Sequence, residues 1–75
     1  MKKVRIGSVV RFATNFGKGP FTNGTIENIE ICRNGTHDNG RQVKTCDLNK
    51  HWGVLDFSDV DHWAYFNQVK SVIKY

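Results

Sequence analysis

Turn-forming pairs punctuate this chain densely, and that spacing limits what it can fold into. Asn-Gly occurs at Asn23-Gly24, Asn34-Gly35 and Asn39-Gly40, and Gly17-Lys18-Gly19-Pro20 adds another break. Asn and Gly tolerate positive φ, which hairpin turns demand, so these pairs read as turns. Between them lie β-branched and aromatic runs of strand length: residues 9–12, 25–31, 42–46 and 53–57. Short strands at such spacing predict an all-β fold, a small barrel or sandwich. Ile29-Glu30-Ile31 alternates as a half-buried strand should, but the step from Ile26 to Ile29 breaks the period. A bulge or sharp bend near Glu27–Asn28 returns both isoleucines to the inside.

The 75 residues allow one domain, spanning 1–75. With 39% hydrophobic and 12% aromatic residues, the composition excludes intrinsic disorder. A chain this short buries only ~60% of the surface its unfolded form exposes, which argues for a shallow binding groove rather than a deep catalytic pocket. No apolar run approaches the ~20 residues that span a bilayer, and Met1-Lys2-Lys3-Val4-Arg5 leads into no apolar stretch of signal-peptide length. The expectation is a folded, soluble, cytoplasmic domain without membrane contact.

The last stretch admits two readings. As strands, His62–Phe66 and Ser71–Lys74 flank a short helical turn near residues 67–70. As a helix, Asp61 caps a stripe of Trp63, Phe66, Lys70 and Ile73. Aromatic and β-branched residues dominate, which favours strands. Two tryptophans in so small a domain imply that at least one fills the core. If Trp63 points inward, Tyr65 follows it, while Trp52, after Asn49-Lys50-His51, is the better candidate for partial exposure.

In order, these segments resemble the small SH3-like barrels, such as the KOW and Tudor domains. Ile6-Gly7-Ser8-Val9-Val10-Arg11-Phe12 looks like their first strand, and residues 14–23 look like the long irregular loop after it. Gly24-Thr25-Ile26 resembles the entry to the second strand. Trp63-Ala64-Tyr65-Phe66-Asn67-Gln68-Val69 resembles the penultimate strand and its closing helical turn. The resemblance implies a barrel of five to six short antiparallel strands, with an extra hairpin within residues 49–61. Free-standing chains of this size and look also resemble tailed-phage accessory proteins, which implies a phage-encoded origin and action in the host cytoplasm.

Catalytic and metal chemistry find little footing. Cys32, His37, Cys46 and His51 are zinc-ligand types, but their spacing matches none of the common patterns. A hairpin over residues 33–45 sets Cys32 and Cys46 across from each other on paired strands, as two packed reduced thiols. Gly17-Lys18-Gly19-Pro20 lacks the Ser or Thr and the following helix of a phosphate-binding loop. His62 beside Asp61 points to the opposite strand face, so the two form no dyad. There is no nucleophile elbow and no cofactor fingerprint. The chain reads as a non-enzyme with no metal, cofactor or small-molecule substrate.

Charge is the remaining signal. Formal net charge is +4, and residues 1–25 carry Lys2, Lys3, Arg5, Arg11 and Lys18 with no acid, whereas residues 51–61 carry Asp56, Asp59 and Asp61 with no Lys or Arg. A basic face attracts phosphates. The leading expectation is therefore nucleic-acid binding through those five cations, with Arg41, Lys44 and Lys50 in second rank and Phe16 or Trp52 stacking on bases. The competing expectation is a protein-interaction module that docks on a partner through the same charge polarity and exposed aromatics.

Overall fold

The break in period between Ile26 and Ile29 is where this molecule bends. The computed structural model describes residues 2–33 and 40–75, and it is all-β. Its strands are β1 (Lys3–Arg5), β2 (Val9–Ala13), β3 (Phe21–Ile31), β4 (Arg41–Val43), β5 (Thr45–Asp47), β6 (Gly53–Phe57), β7 (Trp63–Tyr65) and β8 (Val69–Lys74). All pairings are antiparallel. The first half of β3 pairs with β2, from Val9 opposite Thr25 to Ala13 opposite Phe21. Its second half lies between β4 and β6. The register against β6 slips between Ile26 and Asn28, and both Ile26 and Ile29 are buried. The expected bulge is thus present and does the expected work.

Strand order in the main sheet is β7-β6-β3-β2-β8, with β4 beside β3, and β1 forms a two-stranded ribbon with β5. Among the described residues no pairing joins β7 to β8, so the sheet stays open and the closed barrel is not formed. A 3-10 turn at Phe66–Gln68 links those two strands, where a short helical turn was expected near 67–70. Residues 61–74 are therefore strand, turn and strand rather than one helix.

Other expectations need correcting. There are eight strands among the described residues, not five to six. The run 42–46 divides because the chain changes partner at Lys44, whose carbonyl accepts a hydrogen bond from the Ile6 N–H (3.1 Å). β4 then belongs to β3, and β5 to β1. Cys46 consequently faces Val4 across the ribbon, so it shares no strand pair with Cys32. His37, Asn34-Gly35 and the expected hairpin tip lie outside the described residues. Asn23-Gly24 is no turn but lies inside β3.

Packing explains that glycine. Phe12 and Phe57 stack face to face beneath it, centroids 4.4 Å apart and planes 11° from parallel. A Cβ on Gly24 would stand 2.7 Å from Phe57 Cδ1 and 3.1 Å from Phe12 Cε1. Around this stack Val4, Val10, Ile29, Leu55 and Phe66 complete the core. Gly24→Ala is expected to lower unfolding free energy by ~1–3 kcal/mol through overpacking, read as an earlier midpoint in urea at unchanged slope.

Candidate functional site

The loop after β2 is built around one residue. Thr14 donates its hydroxyl to the Pro20 carbonyl (2.8 Å) and its N–H to the same oxygen (3.0 Å). Its own carbonyl accepts from the N–H groups of Gly17 (3.1 Å) and Gly19 (2.8 Å). The chain between is forced into a tight 3-10 turn, Asn15–Gly17, in which Asn15 (φ 52°) and Phe16 (φ 58°) both take left-handed backbone. Asn visits that region cheaply, whereas a bulky residue there is strained. Phe16 stands 65% exposed.

Buried Gln68 locks this loop to the far end of the sheet. Its Nε2 donates to the Ala13 carbonyl (2.9 Å), and its Oε1 accepts the Tyr65 N–H (2.8 Å). One amide therefore fixes the distance between β2 and β7. On β7 the small residue Ala64 faces the core, which Leu55, Phe57 and Phe66 already fill, so Trp63 and Tyr65 face out. This overturns the expectation that a tryptophan fills the centre. Phenylalanines do that, and Trp63 is 40% exposed while Trp52 is half-buried.

The outward rings meet. Phe16 packs edge-on against Trp63 (centroids 5.6 Å, 82°), and Trp63 packs edge-on against Tyr65 (5.1 Å, 81°). Phe16 and Tyr65 lie 6.3 Å apart, and Trp52 stacks on Tyr65 at 4.9 Å. Phe16 and Trp52, far apart in sequence, thus belong to one aromatic surface. Trp63 and Tyr65 complete it and were missed as surface groups. The usable signal was Ala64, whose size suits the tighter side of an edge strand. Two shallow depressions adjoin at Asp61–Trp63. One is walled by Asn15, Phe16 and Gln68, the other by Glu27, Asn28 and Asp56, and among the described residues no Lys or Arg lines either.

The expected cations fall into groups rather than one wall. Arg11, on the outer face of β2, lies over the Phe21 ring (5.1 Å), and Lys70 of β8 lies over the same ring (5.7 Å). Arg5 lies over the Tyr75 ring (4.5 Å) and donates its Nε–H to the Tyr75 carbonyl (3.1 Å). Ser8 Oγ donates to that carbonyl as well (2.9 Å). Lys2 turns inward, its Nζ donating to the Val69 carbonyl (2.6 Å), and Lys3 sits opposite Asp47 in the ribbon. Lys18 is exposed in the loop with Phe16, Arg41 and Lys44 lie on and beside β4, and Lys50 joins His51 at the rim of Trp52. Arg5 and Arg11 therefore share the β2–β8 side with Lys70, Phe21 and Tyr75, residues that the charge reading passed over. Lys44 lies next to the Arg5 end of this group, its carbonyl bonded to Ile6 and Thr45 paired with Arg5, whereas Arg41 stands on β4 and Lys50 beside Trp52.

Cys46 is buried, and that burial, with Asp47 adding to it, pushes its thiol up from 9.0, away from the reactive thiolate. Among the described residues no group of three His, Cys, Asp or Glu is placed to hold a metal ion. Among the described residues no helix is long and apolar enough to cross a membrane. In comparisons with known proteins, no family model, no curated protein and no solved structure matches this chain.

The acidic turn beside Trp63 is held by Asp59, which accepts the Thr25 N–H (2.8 Å) and the Thr25 hydroxyl (2.7 Å). These bonds, backbone first, hold its carboxyl below its ordinary 3.8. A group lowered on folding contributes stability above the unfolded value and loses it as pH falls through the folded one. Asp59→Asn should therefore flatten the loss of stability below pH 3.8, measured by urea denaturation at a series of acid pH values.

Proposed function

We propose that this chain is a non-enzymatic binding module that contacts nucleic acid through the outer face of β2, β3 and β8. The observation that carries this reading is Phe21, 44% exposed, with Arg11 of β2 and Lys70 of β8 both over its ring at 5.1 and 5.7 Å. A half-exposed ring beside two cations offers a base a stacking surface while the cations reach the adjoining phosphates. Arg5 over Tyr75, itself 51% exposed, repeats the pairing toward the end of β8. Because sheet faces present no helix to a groove, such contacts favour backbone and stacking over base-specific readout.

The bent sheet supports the same reading. β2 pairs with β3 and β8, β3 with β6, and β6 with β7, while a 3-10 turn joins β7 to β8. We read this connectivity as an open variant of the SH3-like arrangement. It leaves the β2–β8 face free for a ligand.

Anisotropy of labelled single-stranded and duplex oligonucleotides across a salt series tests the proposal. Binding is expected at ~50 mM salt and should weaken steeply as salt rises. The double variant Arg11→Gln/Lys70→Gln should lower the single-strand salt slope by about 1.4, from two lost phosphate contacts at ~0.7 each. Phe21→Ala should cost ~1–3 kcal/mol for one lost stacked base. No binding at ~50 mM salt would remove the reading.

A further inference from the structure

We propose a second binding site on this chain, independent of the nucleic-acid reading: the aromatic depression between the Asn15–Gly17 turn and the Asp61–Trp63 segment takes a lysine- or arginine-bearing peptide segment of a partner protein. Its lining sets two aromatic rings, Phe16 and Trp63, among Asn15, Asp61, His62 and Gln68. Phe16 and Trp63 meet edge-on at 5.6 Å, and outside the lining both also contact Tyr65, on which Trp52 stacks at 4.9 Å. Aromatic anchors that are already held in place lose little freedom when a partner covers them.

Strain points to the same place. Covering the β7 edge with aromatic rings requires no left-handed backbone at a phenylalanine. Yet Phe16 is held at φ 58° and ψ 30°, directly after Asn15 at φ 52°. Non-glycine residues in that region are strained and persist where the surroundings over-determine them. Here the surroundings are the Thr14 hydrogen bonds and the Gln68 amide. Their net effect is to present an exposed phenylalanine against an exposed tryptophan.

Charge selects the occupant. Asp61 and His62 line both adjoining depressions, Glu27 and Asp56 line the outer one, and among the described residues neither contains a Lys or Arg. Elsewhere the chain is cationic, with a net charge of +4. An anionic ligand would meet three carboxylates with no compensating cation in the lining. A guanidinium or ammonium finds both an aromatic face and carboxylates, and each attraction strengthens as water leaves. The apolar neighbours of that cation in the partner segment would cover Phe16 and Tyr65.

A random-peptide display library selected on the immobilised full chain tests this, with the Phe16→Gly/Trp63→Ala variant for counter-selection. Both altered side chains are exposed and glycine relieves the left-handed strain, so the variant is expected to fold, which thermal unfolding checks first. Enriched peptides should carry Lys or Arg beside apolar residues. Trp63→Ala should weaken them about tenfold or more, and replacing their cation by Gln should do likewise. Asp61→Asn should weaken them roughly two- to fivefold, with less salt dependence than the parent. The Arg11→Gln/Lys70→Gln variant should leave peptide affinity unchanged, so failure here and failure of the nucleic-acid reading are read separately. The proposal is overturned if no peptide discriminates the parent from the counter-selection variant. It is equally overturned by an acidic or uncharged consensus, or by an oligonucleotide that competes for the Trp63 surface.

Discussion

The bend in β3 is the constraint on which the rest of the structure depends. One strand of eleven residues serves β2 with its first half and both β4 and β6 with its second. A straight strand with strict alternation would bury only one of Ile26 and Ile29. The register slip between Ile26 and Asn28 buries both, and it turns the second half of the sheet across the first. Gly24 sits just before the bend because the Phe12–Phe57 stack fills the space a side chain would take. Overpacking that stack and straightening the strand would have the same consequence: β2 and β6 could not face a common interior.

Once the sheet is bent, its two ends still need a spacer, and a polar side chain supplies it. Gln68 is buried and uses both ends of its amide, donating to β2 and accepting from β7. A buried amide is tolerated only when its bonds are made, so the geometry between the two strands is set more narrowly than apolar packing would set it. Among the described residues no buried side-chain nitrogen or oxygen lacks a partner. That completeness lets the adjacent turn carry strain at Phe16 without collapsing. The aromatic surface is thus a consequence of core hydrogen bonding, one layer removed from it.

Much of the fold was legible in the residues, and what was not has identifiable physical causes. The β2, β6 and β8 runs, the bulge and the late helical turn follow from period and composition, which are local properties. The missed β1 has only Lys3-Val4-Arg5 to signal it, and it exists because β5 lies beside it. Reading Asn23-Gly24 as a turn failed because the glycine answers to ring packing from two other strands, a non-local demand. The same limit governs the site. Phe16 and Trp52 stood out individually, but their meeting through Tyr65 depends on sheet curvature, and the inward guess for Trp63 weighed size over the room left beside Leu55 and Phe66. Charge polarity in sequence was real, although its cations divide among separate surfaces.

That division bears on how one small domain can present two chemistries. Arg11 and Lys70 project from β2 and β8, one end of the strand order, whereas Trp63 stands on β7 at the other, beside Asp56 and Asp61. At physiological ionic strength charges more than ~8 Å apart are largely screened on an exposed surface, so carboxylates at one end need not cancel cations at the other. The residual asymmetry still acts at longer range as an orienting field during encounter. Between the two lies the 14–20 loop, which contains both Phe16 and Lys18 and is braced by Thr14 and Gln68. The Gln68 amide ties β2 to β7, and the Phe12–Phe57 stack of the core underlies both ends. Charge is thus segregated by strand order, which net charge alone does not reveal.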